Sequence, residues 1–170
     1  YGADAVRWYF FTINQPEDSK LFDVADIDRA KKNFLDLLAN TLRFYEMYKG
    51  TKPSKKQAHI LDAWVSARCA QVRDDVTRRM DTYDIVGAAR ALEQFVSEDV
   101  SRWYVRRSRE RMRSGEVFLV LLDTLLNIAR LAAPFTPFIS EILYQALASE
   151  EESVHLASWP EKKAYSKRVL

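Results

Sequence analysis

The chain has 170 residues, 48% hydrophobic and 29% charged, with a net charge of +2. That is enough apolar material for one domain with its own core, and it excludes a disordered tail. Cys69 is the single cysteine, which excludes an intrachain disulfide and a cysteine-rich zinc site, and no apolar run reaches the roughly 18 residues of a membrane span. With only 4 glycines and 5 prolines, turn-formers are scarce and few, long elements are expected. The chain carries no initiating Met, and its first residues do not read as a signal peptide, so it is expected to be an internal piece of a longer protein.

Residues 1–13 predict a short helix with Asp4 as its N-cap, followed by a polar loop around Pro16. Over 26–48 the apolar residues Ile27, Ala30, Phe34, Leu37, Leu38, Thr41, Leu42 and Tyr45 recur at helical steps, and Gly50 is a stop signal. A basic connection holding Lys52, Lys55 and Lys56 follows. A helix over 61–82 has the stripe Leu61, Val65, Cys69, Val72, Val76 and Met80, with Asp62 suited to the positive end of its dipole. Asp84 then caps the longest predicted helix, 85–113, whose stripe is Ile85, Ala89, Leu92, Val96, Val100 and Trp103. Ser114, Gly115 and Glu116 break the pattern. Residues 117–132 predict a helix buried on most sides, 136–147 a last helix, and 149–153 a solvated acidic loop. The fold class is therefore an all-α, antiparallel bundle of about five helices. Residues 1–25 form its lead-in, 26–148 the bundle itself and 149–170 a tail.

No phosphate-binding glycine loop, nucleophile elbow or metal-ligand pair at helical spacing occurs. His59 and His155 stand alone in polar connections and read as solvated. Glu93, Glu98 and Asp99 have no nucleophile near them in sequence. No catalytic residue, metal site or cofactor is expected within this chain. The informative stretch is 102–113, with six arginines and one glutamate, a local charge of +5 against +2 for the whole chain. On a continuous α-helix Arg102, Arg106, Arg109 and Arg113 would share one face. Such a row repels itself, so phosphates or the carboxylates of neighbouring helices must offset it. Arg107 adds to the same patch. Trp103 and Tyr104 can stack on a base, although Trp103 also continues the apolar stripe. Lys52, Lys55 and Lys56 fit either a phosphate-contacting loop or a solvated linker.

These segments match a known pattern. WYVRRSR at 103–109 resembles the tRNA-binding helix of isoleucyl-tRNA synthetases. YGADAVR at 1–7 resembles the segment after the mobile signature loop of class I synthetases, and LDAWVSAR at 61–68 the start of one of their bundle helices. APFTPFISE at 133–141 resembles a turn shared with valyl and leucyl relatives, and SVHLASWP at 153–160 the stretch that closes the bundle. Valyl enzymes tend to carry an acidic residue where this chain has Arg106. The connection at 114–116 is shorter than is usual in the family. The resemblance implies a module that grips the anticodon stem and loop of tRNA, packed on a catalytic domain of the same protein. It implies a parent enzyme that joins isoleucine to tRNA with ATP and magnesium, as a monomer in the cytoplasm with no membrane partner. The tRNA-binding residues expected on this basis are Arg102, Trp103, Arg106, Arg107, Arg109, Arg113, Lys52, Lys55 and Lys56. The alternatives are the same domain of a valyl or leucyl enzyme, and a helical protein–protein module whose arginines meet acidic surfaces.

Overall fold

A computed structural model describes residues 1–15, 17–19, 21–49, 59–147, 152–162, 164–165 and 170. All regular structure among them is helical: α1 (Ala3–Thr12), α2 (Val24–Ala30), α3 (Asp36–Met47), α4 (Ile60–Asp81), α5 (Ile85–Gln94), α6 (Arg109–Arg113), α7 (Phe118–Ala132) and α8 (Pro137–Ala146). Two π-helical stretches, Lys31–Leu35 and Phe95–Val105, join α2 to α3 and extend α5. Counted as continuous rods, the described helices give the all-α bundle read from the periodicity. The basic connection with Lys52, Lys55 and Lys56 lies outside the described residues, as do Gly50 and most of the acidic loop.

Local chemistry places most of the ends. His59 Nδ1 accepts from Leu61 N–H at 3.2 Å at the start of α4, so this histidine is a cap rather than a solvated loop residue. Asp84 accepts from Gly87 N–H at 2.9 Å and opens α5 as expected. Pro137 occupies the first turn of α8, where its missing N–H costs nothing; it starts a helix rather than interrupting one. Asp4 departs from expectation. Its own helix gains no side-chain cap, and its Oδ2 instead accepts from Ile139 N–H at 2.7 Å, in the first turn of α8. Arg7, one turn on, donates to Phe135 O at 2.9 Å and Pro134 O at 3.0 Å. The opening segment is thus bolted to the turn between α7 and α8, 127 or more residues away in sequence.

α1 shares the single hydrophobic core. Ala5, Trp8 and Tyr9 are buried in it, and Trp8 stacks on Phe34 with centroids 3.7 Å apart. The tail also returns to the bundle. Val154 is buried, its N–H and Ser153 Oγ both donate to Glu141 Oε2 at 2.9 Å, and Trp159 Nε1 donates to Thr77 Oγ1 at 2.9 Å. α4 packs against α5, α7 and the Phe95–Val105 stretch, and so holds the arginine-rich region in place. Among the described residues no helix is long and apolar enough to cross a membrane.

Candidate nucleic-acid interface

The rod that begins at α5 does not run on as one α-helix to Arg113. In its π stretch the buried residues are Phe95, Val96, Val100, Tyr104 and Val105, at steps of four and five rather than three and four. A π-helix bonds residue i to i+5, and this wider period re-phases the apolar face. Tyr104 and Val105 turn inward in place of Trp103, which is 43% exposed. The expectation that Trp103 continues the apolar stripe fails for that reason. The rod then stops at Ser108 and restarts as α6. Arg102, Arg106, Arg109 and Arg113 are all exposed, but they do not form the single straight row that a continuous α-helix would give.

The six arginines of 102–113 divide into three kinds. Arg111 is structural. Its guanidinium donates to both oxygens of Asp62, at 3.0 and 2.5 Å, and to Glu116 at 3.3 Å. Asp62 Oδ1 also accepts from Tyr104 Oη at 2.9 Å. Burial, followed by the adjacent Asp62 carboxylate, pushes the Tyr104 hydroxyl far above its ordinary range, so it stays a donor. The Asp62 hydrogen bonds raise Arg111 further in turn. Asp62 is therefore the post that fixes α6 to the start of α4, a role beyond the dipole effect expected of it. Arg102 and Arg113 carry surface ion pairs, to Glu98 at 2.5 Å and Glu110 at 3.2 Å. Exposed pairs of this kind are weak and exchange readily for another anion.

Arg106, Arg107 and Arg109 are the third kind. All three are exposed, and none has an ion pair among the described residues. Arg107 instead lies over the Trp103 ring, its Cζ 3.8 Å from the centroid. Trp103 also neighbours Trp64 of α4, with centroids 6.4 Å apart and planes tilted by 60°. Trp64 was not singled out from the sequence: 39 positions separate it from Trp103, and nothing local links them. The four-residue spacing of Trp103 and Arg107 was a usable signal for their contact. The three carboxylates with no nucleophile near them in sequence are engaged. Glu98 holds Arg102, Asp99 holds Arg68 at 2.7 Å, and Glu93 accepts from Trp8 Nε1 at 2.7 Å while burial raises its pKa.

The site is thus an exposed arginine cluster without carboxylate partners among the described residues, beside an exposed aromatic on packed helices. Comparison with known proteins gives the class. Residues 62–169 match the family described as the anticodon-binding domain of tRNA ligase, and the chain belongs to that family. Its curated relatives include isoleucine–tRNA ligases of Deinococcus radiodurans, 38% identical over 96% of this chain, and of Thermus thermophilus, 36% identical over 95%. The chain spans only 16% and 17% of the length of these two relatives. A similar fold occurs in the crystal structure of the ternary complex of Agrobacterium radiobacter K84 agnB2 LeuRS-tRNA-LeuAMS. The TM-score is 0.67 and the identity 18%, with 99% of this chain and 20% of that one covered.

Proposed function

We propose that this chain is the part of an isoleucine–tRNA ligase that holds the anticodon stem and loop of its tRNA, docked on a catalytic domain of the same protein. The observation that carries the reading is the trio Arg106, Arg107 and Arg109, exposed and without carboxylate partners among the described residues. Arg102 and Arg113 flank it in pairs weak enough to give way to phosphate. The names of the relatives favour isoleucine over the leucyl and valyl alternatives. A scaffold module with internally neutralised arginines is disfavoured, because the trio has no carboxylate partner among the described residues. ATP and magnesium act in the remainder of the longer protein, a cytoplasmic monomer. The sequence has no glycine-rich phosphate loop, and among the described residues no group of three or more His, Cys, Asp or Glu could hold a metal.

With about four phosphate contacts, log K for tRNA should fall against log salt with a slope of about −3 to −4. The double variant Arg106→Glu/Arg109→Glu should unfold at the same urea concentration as the parent, bind tRNA at least tenfold more weakly, and lose about 2 from that slope. Salt-independent binding, or an unchanged slope in the variant, refutes the proposal.

A further inference from the structure

We propose that Trp103 and Arg107 form a stacking platform for one unpaired nucleobase, with the Arg107 guanidinium lying between the indole and the base. This deepens the tRNA reading and rests on it. A guanidinium normally finds a carboxylate, as every arginine of α4 does, yet Arg107 has none among the described residues and sits on an aromatic face 3.8 Å away. A planar guanidinium has two faces. The indole occupies one, and the exposed side chain leaves the other open. Trp103 has a neighbour rooted in the fold: Trp64 packs against the core, its ring 6.4 Å from that of Trp103. Trp103 is 43% exposed and Arg107 is exposed as well, so solvent reaches the stack.

The cover that fits is a base. Guanidinium planes and aromatic rings stack on bases, and only unpaired bases offer a free face, because in an A-form stem the faces are already stacked. The neighbouring Arg106 and Arg109 are exposed and unpaired among the described residues, and their guanidinium groups suit the phosphates that flank such a base. The division of labour is specific. Arg106 and Arg109 supply salt-dependent affinity, whereas Arg107 on Trp103 supplies affinity that depends on an unpaired base and hardly on salt.

The test uses Arg107→Lys, which keeps the charge but not the plane, and Trp103→Phe, which narrows the platform. Both positions are exposed, so the helical circular dichroism and urea midpoint should match the parent. The probes are an RNA hairpin with a single-stranded loop and a fully paired duplex of the same stem. Arg107→Lys should weaken hairpin binding about tenfold with the salt slope unchanged, Trp103→Phe should weaken it less, and neither should alter duplex binding. An abasic substitution at one loop position should cost as much as Arg107→Lys, and combining the two should add nothing. If Arg107→Lys binds the hairpin like the parent, or weakens hairpin and duplex equally, the platform is overturned. The tRNA reading then still stands, provided Arg106→Glu/Arg109→Glu shows its loss. If that pair shows none either, the tRNA reading itself fails.

Discussion

Two stretches of this molecule are rich in arginine, and they do opposite things with it. α4 and the turn after it, residues 68–84, hold four arginines and four aspartates. Arg68 pairs with Asp99 at 2.7 Å, Arg73 with Asp74 at 2.8 Å, Arg78 with Asp75, and Arg79 with Asp75 at 2.9 Å and Asp84 at 2.5 Å. The second stretch, 102–113, holds six arginines and one glutamate, and leaves Arg106, Arg107 and Arg109 unpaired among the described residues. Arginine density alone therefore marks nothing. The local supply of carboxylate separates a cation that serves the fold from one left over for a partner.

The sharpest way to break this contrast is at Arg111, which lies in the second stretch but behaves like the first. Asp62→Ala would leave its guanidinium largely buried without its main partner, side-chain exposures in the pair being 16% and 12%, and would also strip Tyr104 of its acceptor. Removing one member of such a pair should cost about 3 kcal/mol in urea unfolding. Arg106→Ala should cost nothing measurable there and act only on RNA affinity. The double variant Asp62→Ala/Arg111→Leu should recover much of the loss, because no buried charge remains. An Asp62→Ala cost below about 1 kcal/mol would move Arg111 into the exposed, partner-seeking set.

The helices were legible in the sequence because burial on one face writes a three-and-four spacing, and α4 keeps that spacing throughout: Val65, Cys69, Val72 and Val76 are all buried. What was not legible has two physical causes. The first is period. A π stretch buries residues at four and five, so an α-helical stripe drawn through Val100 arrives at Trp103 when the inward residues are Tyr104 and Val105. The second is distance along the chain. Asp4 caps α8 rather than α1, and Asp62 meets Arg111 across 49 positions, pairings that no local pattern announces. Charge density marked the stretch 102–113, and five of its six arginines, all but Arg111, stand among the expected tRNA-binding residues. Only the fold could sort them. The short connection at 114–116 is a helix stop: Gly115 N–H bonds to Met112 O and Glu116 N–H to Arg111 O, both at 3.1 Å.

A smaller effect probes the paired stretch. Asp84 both caps α5 and holds Arg79. Its carboxyl is held below the ordinary value of 3.8, first by the Gly87 N–H and then, against some desolvation, by Arg79. A depressed folded pKa means stability that is present above the unfolded pKa and lost as pH falls through the folded one. Asp84→Ala should cost about 1 kcal/mol at neutral pH through the lost cap, and the gap between variant and parent should narrow as the pH is lowered and the carboxylate is protonated. A gap that stayed constant from neutral to acid would mean the carboxylate charge at Asp84 contributes nothing.

The smallest expected change is a gain, and it compares how the two stretches end. Both close with the same backbone motif. At the second, Gly115 takes φ 77°, a left-handed conformation that costs glycine little. At the first, Tyr83 takes φ 62°, its N–H bonding to Met80 O at 3.1 Å and the next N–H, of Asp84, to Arg79 O at 2.9 Å. A side chain in that region costs roughly 1 to 2 kcal/mol, and the Tyr83 ring, 88% exposed, has little burial to offset it. Tyr83→Gly removes that strain but adds freedom to the unfolded chain, for a net stabilisation of about 0.5 kcal/mol, or about 1 to 2 °C in Tm. Gly115→Ala should lose about 1 kcal/mol for the converse reason. Because Tyr83 belongs to the paired stretch and not to the exposed trio, tRNA affinity and its salt slope should stay unchanged in Tyr83→Gly. A stabilised variant with weakened tRNA binding would show that the α4–α5 corner also touches the nucleic acid, and would extend the interface beyond residues 102–113.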